Sequence, residues 1–162
     1  MTAKAVTVRD YVDIDKNGII DLARQLQAHE LAYYDRMKPV ADIGEAYVTE
    51  LRADVDKHKG RFLVAQIAGR LVGYCTLLTH CDSSDEHDEI QYSFSYIGDL
   101  AVDQASRSQG VGSELIAACE TIARAAGQKW LRLSVMAANT RARRFYAANG
   151  FNELLLRLEK PL

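Results

Sequence analysis

The chain has 162 residues and 48% hydrophobic content, enough for one domain, spanning 1–162, with a sizeable buried core. Twenty basic and 22 acidic residues leave a net charge of −2, and the pI is about 6.1, so charge points to neither nucleic acid nor an anionic membrane as partner. No apolar run reaches the length of a membrane span, residues 1–9 lack a signal-peptide core, and Cys75, Cys81 and Cys119 are unpatterned thiols suited to a reducing compartment, so the expected location is the cytoplasm.

Taken in order, Val6 and Val8 alternate with polar residues as a short strand, and Asp13 or Asp15 can cap a helix carrying Ile19, Leu22, Ala23 and Leu26 on one face. Residues 29–42 lose periodicity around Pro39 and carry Tyr33, Tyr34, Arg36 and Met37, so the chain turns there. A second helix is predicted over 43–57 from Ala46, Val48 and Leu51. The apolar runs 62–67 and 71–78, linked through Ala68-Gly69-Arg70, form an antiparallel hairpin. An acidic loop follows at 82–89, with Asp82, Asp85, Glu86, Asp88 and Glu89, before strand character returns near Tyr92.

The stretch 96–102 reads as a strand, and it feeds Arg107-Ser108-Gln109-Gly110-Val111-Gly112-Ser113. This loop opens a helix with Leu115, Ile116, Cys119, Ile122, Ala123 and Ala126 on one face and Gly127 as its stop. A glycine-bearing loop at a helix N-terminus gathers backbone N–H groups at the positive end of the dipole, and glycine lets a phosphate approach the main chain. A Walker A loop fails because Gly112 is followed by Ser113-Glu114, and a dinucleotide fingerprint fails at Leu115. Downstream, the strand 130–135 leads to Asn139, an N-cap for a short helix with Ala142, Phe145 and Ala148 or Asn149 on one face. Asn149-Gly150 supplies its left-handed cap, and Phe151 opens a further strand.

Two segments match a known pattern: Asp-Leu-Ala-Val followed by Arg107-x-x-Gly110-x-Gly112, and Asn139 followed by Ala142, Arg143, Arg144, Phe145, Tyr146 and then Gly150-Phe151. The chain resembles the GCN5-related N-acetyltransferase (GNAT) family over its C-terminal third, and the earlier residues match it as an element order. The fold class so implied is α/β (α+β), a mixed, largely antiparallel twisted sheet flanked by helices in the order β-α-α-β-β-β-α-β-α-β. The resemblance implies acetyl-CoA as co-substrate, with its pyrophosphate on Arg107, Ser108, Gln109, Gly110, Val111, Gly112 and Ser113. It implies further contacts from Asn139, Ala142 and Arg143, and pantetheine and thioester contacts along the splayed strand at Leu100, Ala101 and Val102. Tyr146 occupies the family's position for protonating the leaving thiolate.

Acetyl transfer to an amine needs a base, because an alkylamine of pKa ~10.4 costs roughly 4 to 5 kcal/mol to hold neutral at pH 7. Asp99 is the candidate, as base or as the partner of an arginine, and His29, Glu30, His80 and His87 are alternates by residue type. Asp99 resembles the Asp of polyamine-type members, which commonly carry a Glu just before it where this chain has Gly98. Tyr146 and Asn139 each have a structural reading as well, as core packing and helix cap, and Arg143 and Arg144 suit either a solvated face or a cofactor phosphate. No zinc or calcium spacing is present, so no metal is expected.

The expected function is transfer of an acetyl group from acetyl-CoA to a primary amine of a small cationic molecule, by direct attack through a tetrahedral intermediate. The alternatives are an acyl-CoA-binding regulatory module without efficient catalysis, and acetylation of a protein amine. The acidic loop and residues 29–42 are expected to line the acceptor mouth. The resemblance also admits a homodimer, and Leu154-Leu155-Leu156 suits either a subunit contact or the core.

Overall fold

The computed structural model describes residues 5–84 and 87–162. The elements run β1 (Val6–Asp10), α1 (Lys16–Glu30), α2 (Glu45–Lys57), β2 (Arg61–Ile67), β3 (Arg70–Asp82), β4 (Ser93–Val102), α3 (Val111–Ala125), β5 (Leu131–Arg132) and α4 (Thr140–Ala148). One five-stranded sheet has the order β1-β2-β3-β4-β5, antiparallel through β4, with β5 parallel to β4. No helix of the described residues is long and apolar enough to cross a membrane.

The continuous apolar runs of β2 and β3 arise because both faces of the sheet are covered. Phe62, Val64 and Tyr74 pack with Ile19, Val48 and Val55 of α1 and α2, whereas Leu63, Ala65, Cys75 and Leu77 pack with Leu115, Ile116 and Cys119 of α3. Ala68 and Gly69 close the β2–β3 hairpin with φ of 50° and 79°, left-handed geometry that matches strand twist. Asp15 precedes α1, but its carboxylate turns back to accept from Arg9 (2.7 and 2.8 Å) and from the Val12 N–H (2.9 Å), so it pins β1 and not the first helical turn.

Two features of the sequence expectation are corrected. The strand predicted over 130–135 pairs only at Leu131 and Arg132, opposite Ser95 and Tyr96, because beyond that point β4 and the following chain diverge. The final strand after α4 is not formed among the described residues, so the order ends at α4. A strand needs a ladder partner, and a two-residue β5 offers almost none. Leu154, Leu155, Leu156 and Leu158 are consequently exposed, and the segment is tied down by ion pairs of Glu153 with Arg143 and of Glu159 with Arg36.

Candidate active site

The gap between β4 and the chain beyond β5 is the mouth of a cleft of about 450 Å³. One wall is β4 from Gly98 to Val102, the other is Ser134, Val135 and Met136, and Tyr96 Oη donates to Ser134 Oγ (2.8 Å) where the walls meet. Beyond Tyr96, β4 has no partner on its β5 side, which leaves backbone polar groups of the strand available to a ligand.

One end of the cleft is the N-terminus of α3. Gly110, the residue before the helix, has φ of 81° and no side chain caps the turn. The Glu114 N–H reaches the Gly110 carbonyl at 3.0 Å, so the N–H groups of Val111, Gly112 and Ser113 are the orphan donors of this helix and lie in the cleft lining. The loop before them is braced from below, where Arg70 donates to Asp103 Oδ2 (3.2 Å) and Ser106 Oγ (2.9 Å). Arg107 and Arg141 line the same end and add positive charge to that of the dipole. At Gly112, expected to admit a phosphate, packing also favours glycine, since a Cβ there would lie 2.7 Å from Phe145 Cζ of α4. At Gly110 a Cβ would meet nothing within 4 Å, and backbone conformation alone favours glycine.

The other end is acidic. Opposite Thr76, β4 carries one extra residue, since Cys75 pairs with Leu100 but Leu77 pairs with Ile97. This bulge turns the Asp99 side chain into the cleft while Thr76 Oγ1 catches the Asp99 N–H at 2.9 Å. Asp99 Oδ2 accepts from Tyr47 Oη of α2 (2.6 Å) and from Tyr74 Oη of β3 (2.9 Å), and Oδ1 accepts nothing among the described residues. Burial raises the Asp99 carboxyl above its ordinary range, with the two phenols pulling it partly back. Glu30, at the end of α1, is raised as well, first by burial and then by the charge of Asp99. His29 beside it is held down by burial and by Arg107 and Arg141.

Between the two ends stands Tyr146. Asn139, buried, caps α4 by accepting the Ala142 N–H on Oδ1 (3.1 Å), and this turn presents Tyr146 to the cleft. Its ring is wedged between Phe145 and Phe151, with centroids 5.3 and 5.8 Å away. Burial, with the negative charge potential of Cys75, Glu30 and Asp99, pushes its hydroxyl up to about 12.

The family model described as "Acetyltransferase (GNAT) family" matches residues 23–151. The chain belongs to the GNAT family. The N-acetyltransferase class expected from the sequence stands with that membership. YhfO of Bacillus subtilis (strain 168), an uncharacterised N-acetyltransferase, is 30% identical over 104 residues, which span 64% of this chain and 66% of that protein's length. A mutant of the BH1408 protein from Bacillus halodurans has the same fold, with a TM-score of 0.85 at 21% identity over 96% of this chain and 99% of that one. The aminoglycoside N-acetyltransferase AAC(6')-Iy, solved in complex with CoA, has a TM-score of 0.73 at 18% identity over 98% of this chain and 95% of its own.

Of the residues singled out from sequence as a GNAT site, the cleft brings together Asp99, Leu100, Ala101, Val102, Arg107, Ser108, Gly110, Val111, Gly112, Ser113, Asn139, Ala142 and Tyr146. It does not include Gln109, whose amide turns away to the Ala105 carbonyl (3.2 Å), or Arg143, which is spent on the Ala137 carbonyl and Glu153. Arg141, two residues earlier on α4, lines the cleft. Tyr33, Tyr34 and Arg36 stay outside the cleft, and so do Asp82, Asp88 and Glu89 of the acidic loop; Asp85 and Glu86 lie outside the described residues. Sequence reasoning missed Tyr47 and Tyr74. The only available signal was that a tyrosine on a core face needs a partner for its hydroxyl.

Proposed function

We propose that the chain transfers the acetyl group of acetyl-CoA to a primary amine of a small cationic molecule. The observation that carries this reading is the polarity of a single cleft: open helix N–H groups, Arg107 and Arg141 at one end, Asp99 and Glu30 at the other, and Tyr146 between them. The cationic end fits the pyrophosphate of coenzyme A, with the N–H groups of Val111, Gly112 and Ser113 as backbone donors, and Leu100 to Val102 fit the pantetheine arm and thioester.

The amine enters as an ammonium and loses a proton to Asp99, directly or through water. A carboxyl raised by burial is a stronger base than a free one, which shortens the uphill step from an alkylammonium of pKa ~10.4. Tyr47 and Tyr74 hold Oδ2, so Oδ1 is the oxygen left to receive the proton. The neutral nitrogen then forms the N–C bond, free N–H groups of the splayed β4 segment stabilise the oxyanion of the tetrahedral intermediate, and the extra proton on the now cationic nitrogen passes to solvent as the intermediate collapses to the amide. When the C–S bond breaks, the electron pair goes to sulfur, and Tyr146 is the donor to it. A phenol of pKa about 12 is a weaker acid than a simple thiol of pKa ~8.5, a difference worth roughly 5 kcal/mol. Tyr146 therefore acts first as a hydrogen-bond donor to the developing thiolate, and a proton from solvent completes the free thiol.

Tyr146→Phe keeps the ring between Phe145 and Phe151 and removes only the donor. With an amine panel and thiol detection, kcat falls about 10²-fold, while calorimetric affinity for acetyl-CoA changes less than about twofold. Wild-type single-turnover rates in the variant would remove Tyr146 from the chemistry. Acetyl-CoA hydrolysis that no amine accelerates would favour the binding-module alternative.

A further inference from the structure

The acceptor end holds a second carboxylate to which the reaction so far assigns no task. Glu30 ends α1, a helix of 15 residues, and both its backbone and its side chain bring negative charge to the cleft. Its carbonyl is satisfied by the N–H groups of Tyr33 (2.8 Å) and Tyr34 (3.1 Å). Its carboxylate has no hydrogen bond or ion pair among the described residues and is half-buried beside Asp99, so it loses hydration with nothing returned. The C-terminal pole of α1 adds negative potential at the same place. Asp99 contributes its unpartnered Oδ1. His29 beside it is held below its ordinary value by burial and by the charges of Arg107 and Arg141, and among the described residues neither arginine forms an ion pair with Glu30 or Asp99. A half-buried carboxylate pair without a counter-ion is relieved by an incoming cation.

Building on the acetyl-transfer reading, we propose that Glu30 and Asp99 form a two-carboxylate seat for the acceptor's ammonium group. The seat selects primary alkylamines without a neighbouring negative charge and rejects amines that carry a carboxylate. Glu30 binds and selects, whereas Asp99 takes the proton. Rejection follows from the same charges as attraction, since a carboxylate on the acceptor would meet two like charges on half-buried groups, where screening is weaker than in bulk water.

Three probes of similar length separate the terms: butylamine, 1,4-diaminobutane and 4-aminobutanoate, each assayed by thiol release at saturating acetyl-CoA. Wild-type kcat/KM for the first two exceeds that for 4-aminobutanoate by about 10²-fold or more. In Glu30→Gln, which keeps the shape and removes the charge, KM for butylamine rises about tenfold and kcat changes less than about threefold. Discrimination against 4-aminobutanoate narrows about tenfold, and KM for acetyl-CoA is unchanged. Unchanged butylamine KM and unchanged discrimination in a folded Glu30→Gln would overturn the role of Glu30. A wild-type preference for 4-aminobutanoate would do so without any variant. No turnover of any of the three amines, with acetyl-CoA still bound, would instead overturn the acetyl-transfer reading, and this seat with it.

Discussion

Gly112→Ala tests whether the second glycine of the loop is there for packing or for the phosphate. The new Cβ would stand 2.7 Å from Phe145 Cζ and 3.3 Å from Cε2, against an optimal carbon–carbon separation of about 3.5 to 4.0 Å. Phe145 cannot simply swing aside, because its ring packs against Tyr146 (5.3 Å) and belongs to the cluster with Val111, Leu115 and Ile116. The clash is therefore overpacking at the α3–α4 contact, which costs about 1 to 3 kcal/mol. For a domain of this size that lowers Tm by about 3 to 10 °C. The displacement also reaches Tyr146, so kcat falls along with stability. Trimming the obstacle separates the explanations: in Gly112→Ala/Phe145→Leu the methyl group gains room, and the two substitutions should couple favourably by about 1 kcal/mol or more. Thermal melts and acetyl-CoA calorimetry on the two single variants and the double variant complete the cycle. Additive stabilities, or a double variant that regains stability but not affinity, would refute the packing account and return Gly112 to the phosphate.

Asp99→Asn keeps a polar group for Tyr47 and Tyr74 but removes a charge that burial disfavours. Since the folded carboxyl is raised above its unfolded value, the cost of ionising it is fully present above the folded pKa and disappears below the unfolded one. Asp99→Asn is accordingly more stable than wild type at pH 8, by about 1.4 kcal/mol for each unit of raised pKa, and the Tm difference closes as pH falls toward 4. A gap that widens on acidification would contradict this. Arg141 lines the cleft and Arg143 does not, so Arg141→Ala should weaken acetyl-CoA about tenfold by calorimetry and Arg143→Ala less than about twofold, and the reverse order would refute the placement.

What was legible in the sequence was local. The apolar stripe of α3, the Ala68-Gly69 turn and the Asn139 cap each depend on residues a few positions apart, and each is found as read. The final strand failed because pairing is not local: the sequence after α4 reads as a strand opening at Phe151, yet the ladder that would receive it ends after Arg132. Arg143 and Arg141 could not be ranked from the motif either. Two positions on a helix differ by about 200°, and only the docking of α4 decides which of them meets the cleft.

The acidic end was the least legible part, because it depends on a relation between strands. Asp99 reaches the cleft through one extra residue in β4, and the bulge is visible only when β4 is laid against β3. The residue before it shows how tightly that geometry is set. A Cβ on Gly98 would approach Thr76 Oγ1 to 2.8 Å, and that hydroxyl is already engaged with the Asp99 N–H. Any side chain at position 98 would thus press on the group that fixes the bulge. A second carboxylate next to Asp99 in sequence, as polyamine-type relatives commonly have, would disturb the placement of Asp99 itself. In this chain the second carboxylate comes from Glu30, 69 residues earlier on another element, where it can approach the acceptor end without touching the bulge.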